Sequence, residues 1–271
     1  MLKINPEWIS KVLELFIREE LIKIGVTKAT FGLSGGVDSA VVACLAQRAL
    51  GCENVHALIM PYRLSNPQSQ EHAELQAKAI NISFDVVDIS EPVDAFFKTM
   101  EDADSLRRGN KMARERMCHL YDYSSKSGAL VLGTSNKTEL LLGYGTIFGD
   151  LASAINPIGD LYKSQIWDLA RYLDVPKEII EKAPSADLWE GQTDEEELGY
   201  SYNHIDQLLY YLVDERYPEE FILEHGYNQE TINDIKMRIQ RSQFKRRPPV
   251  IAKLSNRTIN QDFRYCRDWG A

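Results

Sequence analysis

The sequence predicts an α/β fold: a parallel sheet with helices on both faces, followed by helical C-terminal segments. Three observations predict it. Apolar runs of strand length occur at residues 29–33, 55–60, 84–89 and 129–133. Segments with helical spacing separate them, and strands alternating with helices imply a parallel sheet. Third, the tight loop Ser34-Gly35-Gly36-Val37-Asp38-Ser39 joins the first run to a wholly apolar stretch.

Taken in order, residues 6–25 place Ile9, Val12, Leu13, Phe16, Ile17 and Leu21 on one helical face, expected to meet the core. Residues 40–50 are apolar nearly all round, the mark of a helix buried between a sheet and its neighbours. Helices are expected at 68–80, 91–100 and 106–123, the last carrying Arg107, Arg108, Lys111, Arg114 and Arg116. Residues 143–158 are glycine-rich without a clean period, which fits an active-site loop. Further helices are expected at 162–173 and 176–182, a loop at 184–191, then the acidic run 194–197. The aromatic stretch 200–217 has helical spacing and reads as core or as an oligomer contact. A last helix covers 228–241, before Lys245-Arg246-Arg247-Pro248-Pro249.

Composition narrows the function classes. A chain of 271 residues is long enough for one α/β domain with embellishments. Its formal charge of −9 argues against broad nucleic-acid binding by bulk electrostatics. No apolar run approaches the ~20 residues that span a bilayer, and no signal-peptide core precedes Glu7 and Glu14. Cys44, Cys52, Cys118 and Cys266 form no C-x-x-C pair or metal spacing, so reduced thiols in a cytoplasmic protein are expected.

The loop at 34–39 is built for an anion. Gly35 and Gly36 allow successive N–H groups to point at one phosphate, and the following helix adds its positive N-terminal end. Ser34 and Ser39 bring hydroxyls, and Asp38 stands where a cation would bridge phosphate oxygens. No Lys-Ser/Thr pair closes the loop, so it is not a Walker A loop. Downstream, Gly133-Thr134-Ser135-Asn136-Lys137-Thr138-Glu139 places a second acid just beyond a strand at the same sheet edge. Asp38 and Glu139 together could hold one Mg²⁺ against phosphates.

Ser-Gly-Gly-x-Asp-Ser resembles the pyrophosphate loop of the ATP pyrophosphatases, which cleave ATP between its α and β phosphates. The order of segments 32–39, 107–117, 133–139, 155–163 (Ile-Asn-Pro-Ile-Gly-Asp-Leu-Tyr-Lys), 183–187 (Ala-Pro-Ser-Ala-Asp) and 245–249 resembles ammonia-dependent NAD synthetase over roughly residues 31–249. The resemblance implies an adenine nucleotide α-hydrolase-like, Rossmann-like core at about 25–190 and a helical and lid region at about 191–271, in a single domain 1–271. It implies ATP contacts from Gly32, Leu33, Ser34, Gly35, Gly36, Val37, Asp38, Ser39, Thr134, Lys163 and Ser185, with Mg²⁺ on Asp38 and Glu139. It implies dinucleotide contacts from Arg114 and the lid residue Lys245, an acid near the ammonia site at Asp150, and a homodimer. The catalytic set is then Asp38, Glu139, Asp150 and Lys163.

The implied reaction is adenylation of the nicotinate carboxylate of deamido-NAD, then attack by ammonia to give NAD, AMP and pyrophosphate. About thirty residues precede the loop, far short of the ~100 of a typical domain, so no glutaminase domain is expected. The pattern departs from its relatives in the substrate half. Many relatives carry Thr-Lys-x-Gly-Asp and a further Asp; here Ile147 and Ala154 stand at those positions, and Phe244 replaces a common His. The rival readings are a GMP synthetase-like or tRNA-modifying enzyme with the same loop, and a non-catalytic ATP-sensing module. A tRNA-modifying enzyme would want paired cysteines or a basic appendage, and a sensor would release no pyrophosphate.

Overall fold

Asn5 and Pro6 start the first helix for clear local reasons: Asn5 Oδ1 accepts the N–H of Trp8 at 3.1 Å, and Pro6 takes the first turn, where its missing N–H costs nothing. The computed structural model describes residues 2–100, 102–185, 193–247 and 249–259. The chain runs through α1 (Pro6–Ile22), β1 (Lys28–Gly32), α2 (Val37–Leu50), β2 (Val55–Ile59), α3 (Pro67–Ala79), β3 (Ser83–Val86), α4 (Ser90–Phe97), α5 (Ser105–Ser127) and β4 (Ala129–Val131). It continues through α6 (Lys137–Leu142), α7 (Lys163–Tyr172), α8 (Lys177–Ile180), α9 (Asp194–Leu198), α10 (Tyr202–Leu209), α11 (Glu219–Glu224) and α12 (Gln229–Arg241).

The sheet is parallel throughout, in the order β3-β2-β1-β4. Thr30 of β1 pairs with His56 on one side and Val131 on the other, so β1 is central. The order reverses between β1 and β4, and that switch point opens the crevice at the strands' carboxyl ends. The loops carrying Ser34 and Thr134 leave β1 and β4 there.

Helices cover both faces. Ile17, Leu21, Phe31, Val41, Leu45 and Ile166 pack on one, joining α1, α2 and α7 to the sheet. Leu58, Met60, Val93, Met112, Leu120 and Val131 pack on the other, beneath α4 and α5. Each such side chain removed from water stabilises the fold by about 1.5–3 kcal/mol. A third cluster, with Leu142, Tyr162, Tyr202, Leu208, Ile222 and Ile235, docks α10, α11 and α12 on α6 and α7. The first half of the 200–217 stretch, through Tyr202, Ile205, Leu208 and Leu209, is therefore core, whereas none of residues 210–217 is buried.

The differences from expectation have physical causes. β4 ends at Val131 rather than 133 because the Gly133 N–H turns to Ile155 O at 2.8 Å. β3 stops at Val86, and Asp88 then accepts the Ser90 N–H at 2.7 Å to open α4. After Leu209 the expected helix widens into a π turn (Tyr210–Asp214), and Asp214 is paired with Lys137 at 2.9 Å. α6 and α11 are too short for a 3.6-residue period to repeat, and the acidic run became α9 because acids suit a helix's first turn. On α1 only part of the expected face is buried: Ile17 and Leu21 are at 0 % exposure while Val12 is 41 % exposed. Of the expected 184–191 loop, residues 186–191 lie outside the described residues, as does Cys266. No described helix is long and apolar enough to cross a membrane.

Candidate active site

The loop after β1 takes the shape its glycines allow. Gly35 has φ +78°, and a Cβ there would lie 2.0 Å from the carbonyl oxygen of Ser69. Only glycine fits, by conformation and by space. Gly36 caps α2, so Val37 and Asp38 occupy its first turn. Ser34 and Ser39 brace the loop: their hydroxyls are 3.1 Å apart, and Ser39 Oγ donates to Gly36 O at 3.0 Å.

Opposite stands the loop between β4 and α6. Asn136 Oδ1 accepts the Glu139 N–H at 3.0 Å, and Glu139 Oε2 accepts the Asn136 N–H at 3.2 Å, a reciprocal cap of α6. The same Asn136 donates from Nδ2 to Asp38 Oδ1 at 2.9 Å. One buried amide thus aims both acids. Between them lies the Lys163 ammonium, 2.5 Å from Asp38 Oδ2, 3.8 Å from Glu139 Oε1 and 5.2 Å from the centre of the Tyr202 ring. Lys163 is buried.

A third acid completes this end. Asp194 of α9 accepts the Tyr144 hydroxyl at 2.9 Å and the Tyr202 hydroxyl at 3.0 Å. Burial, with Asp38's charge added, pushes the Glu139 carboxyl well above the ordinary carboxylate range. Burial raises Asp194 as well, against the pull of Lys163. Burial would depress the Lys163 ammonium, but Asp38 and Glu139 outweigh it and hold its pKa up. Three acids about one lysine leave a negative excess that a divalent cation would relieve. Among the described residues no set of three metal-ligating side chains converges. Two carboxylates facing a phosphate loop suit Mg²⁺, which keeps its other positions for phosphate and water. The donor set fits.

Ser34, Asp38, Ser39, Glu139, Tyr144, Lys163 and Asp194 line a cavity of 780 Å³, as do Thr134, Asp150, Ser185 and Lys245, while Asn136 and Tyr202 are not among its lining residues. Asp150 sits on the wall, its Oδ1 accepting the Thr146 N–H at 2.8 Å; although the residue is exposed at the cleft surface, loss of hydration within the cleft pushes its carboxyl up. Lys245 is clamped by the carbonyls of Gly143 and Gly145, both at 2.7 Å, and its burial lowers its pKa. Next to it, Arg246 donates to Leu140 O and Leu141 O at 2.9 Å and to Ile239 O at 2.7 Å, closing the ends of α6 and α12. Gly35 and Arg114 are not among the cavity's lining residues. Arg114 lies outside it, with Nε donating to Ile147 O at 3.3 Å. The adjoining Phe148 is 66 % exposed with φ +60°.

Asn136 and Asp194 escaped the sequence reading. The Asn-x-x-Glu spacing of a capping box marks Asn136, whereas Asp194 gives no signal within a run of acids.

The family model described as NAD synthase matches residues 9–249. A relative from Trichlorobacter lovleyi, named NH(3)-dependent NAD(+) synthetase, is 58 % identical over 269 residues, covering 99 % of this chain and 98 % of its own. Among solved structures, the NH3-dependent NAD synthetase of Campylobacter jejuni superposes with a TM-score of 0.79 at 38 % identity, over 93 % of this chain and 100 % of that one. The NMN synthetase of Francisella tularensis superposes with a TM-score of 0.82 at 34 % identity, over 92 % and 99 %. With the Ser34–Ser39 loop, paired acids and central lysine assembled in one cavity, these matches place the chain in the NAD synthase family.

Proposed function

We propose that the protein is a ligase that amidates deamido-NAD with ammonia at the expense of ATP, giving NAD, AMP and pyrophosphate through an adenylated intermediate. The observation that carries this reading is the Lys163 ammonium held between Asp38 and Glu139 at the mouth of the phosphate loop. The nicotinate carboxylate attacks the α-phosphorus of ATP, and pyrophosphate departs into the Ser34–Ser39 loop, where backbone N–H groups and the start of α2 receive its charge. Lys163 stabilises the charge that builds on the phosphates during this step. Asp38 and Glu139 would hold Mg²⁺, which would supply neutralisation of phosphate charge. Adenylation turns a poor acyl donor into one with AMP as leaving group. Asp150 takes a proton from the incoming ammonium; its raised pKa brings it nearer the operating pH than an ordinary carboxylate.

Arg114 and Lys245 hold the dinucleotide, ATP lies along the loop, Thr134 and Ser185, and the protein works as a cytoplasmic homodimer. Exposed apolar side chains support the dimer, Trp8, Leu15 and Ile22 on α1 and Leu106 at the cavity rim. Cys44, Cys52 and Cys118 are free thiols, as a reducing compartment favours.

The test is pyrophosphate release from ATP and Mg²⁺ with the acceptor and ammonium each present or omitted. Release that requires deamido-NAD, with NAD formed on adding ammonium, upholds the reading. An arm with nicotinate mononucleotide belongs beside it, since Ile147 and Ala154 offer no polar side-chain grip on a second nucleotide. Preference for the mononucleotide would keep the chemistry and move the substrate. No release with any acceptor would sink the enzyme reading and favour a sensor.

A further inference from the structure

Asp206 of α10 is fully buried, yet it stands on none of the loops that carry the chemistry. A buried carboxylate is costly unless its oxygens are answered. Here both are: Oδ1 accepts the Thr138 hydroxyl at 2.5 Å, and Oδ2 accepts the Ser164 N–H at 2.8 Å. The Thr138 hydroxyl in turn accepts the Lys163 N–H at 3.1 Å. Lys163 and Ser164 are the first two residues of α7, whose N–H groups no turn of that helix can satisfy. Thr138 lies in the first turn of α6, one residue before Glu139. A single carboxylate from the C-terminal helices therefore ties together the starts of the helices bearing Glu139 and Lys163. Tyr202 adds a second tie from α10, donating its hydroxyl to Asp194 at 3.0 Å, and the negative charge of Asp206 also suits the positive end of α7.

We propose that Asp206 is a positioning residue for the ligase reaction: through the Thr138 hydroxyl and the Ser164 N–H it fixes α6 against α7, so that Glu139 and the Lys163 ammonium meet Asp38 in one geometry. This rests on the roles given above to Glu139 and Lys163. Asp206 touches no substrate. Its contribution is to the alignment of groups that act on charge developing in the transition state, so its loss is felt in kcat rather than in binding.

The test is steady-state kinetics of Asp206→Asn, which keeps the shape but supplies only one acceptor oxygen for two donors. The expected result is a fall in kcat of about tenfold or more with the KM for ATP within about threefold of the wild type. Thr138→Val breaks the same chain from the other side and should give the same split; the double variant should lose little beyond either single one. If Asp206→Asn does not fold, Thr138→Val is judged by the same criteria. A kcat within about twofold of wild type in a folded variant, whatever its melting temperature, overturns the proposal, as does full additivity of the two substitutions. Glu139→Gln, run alongside, separates two kinds of failure. If it keeps kcat, the site reading falls and the inference falls with it; if it loses kcat while Asp206→Asn keeps it, the inference alone falls.

Discussion

Around Asp38 the polar groups are held from several directions at once: α2, α6 and α7 meet there through Asn136 and Lys163, and α10 braces them from behind. Around Arg114 the supports are few. Its guanidinium reaches one carbonyl at 3.3 Å, and the neighbouring Phe148 is exposed with a left-handed backbone. The inner end of the cavity is preorganised, as electrostatic stabilisation of a transition state requires, because its dipoles must not reorient during the reaction. The outer region, where Arg114 lies beside the cavity and not on its wall, is held by fewer contacts. Inner substitutions should therefore cost turnover, and outer ones affinity.

The largest effect is expected for Lys163→Gln, which removes the cation from among three acids. A drop in kcat of about 10²–10³-fold is expected, read in the pyrophosphate assay; a loss confined to KM would erase the contrast between the two ends. Gly35→Ala should come next. Its Cβ would strike Ser69 O and its φ is positive, so a stability loss of about 1–3 kcal/mol is expected, together with weakened ATP binding, measured by calorimetry. Unchanged ATP affinity would show that the loop's shape is not what receives phosphate. At the outer end, Arg114→Ala should raise the KM for deamido-NAD by about tenfold with kcat nearly unchanged. An equal fall in kcat would place Arg114 with the inner groups instead.

The smallest effect concerns pH. Burial raises the carboxyl pKa values of Glu139, Asp194 and Asp206. The folded protein thus keeps these protons to higher pH than the unfolded chain does. Where the folded state binds more protons, stability falls as pH rises, from the ordinary carboxylate range up through the raised values. Ligand-free protein should accordingly melt at a higher temperature at about pH 5 than at about pH 8, and Glu139→Gln should flatten that slope. A slope of the opposite sign would mean that Lys163 already offsets the acids' charge.

Much of the inner end was legible before folding was considered. The glycines of the 34–39 loop mark the tight turn from β1 into α2, and the run after Ala29 is apolar because a central strand is covered on both faces. Arg114 and Lys245 were reachable through resemblance, since a lone surface cation has no signature of its own. What stayed hidden is what tertiary packing creates. Asp206 looks like any polar residue of an amphipathic helix until α10 docks on α6, and Asp194 is indistinguishable from the acids that follow it. The six residues of α6 are set by a cap rather than by a repeat, so a search for periodicity passes over them.

Arg246 carries a consequence for how the molecule is made. It satisfies the last carbonyls of α6 from 106 residues downstream of Leu140, and it does the same for α12 beside it. The helix that bears Glu139 is thus left unfinished until nearly the whole chain has emerged from the ribosome. Contacts so distant in sequence form late, after loop closure has been achieved. Nascent chains arrested before residue 246 are expected to bury the sheet yet fail to protect the amides of α6 from hydrogen exchange, while chains released at full length protect both. The end of the helix that bears Glu139 is therefore completed by a side chain made more than a hundred residues later.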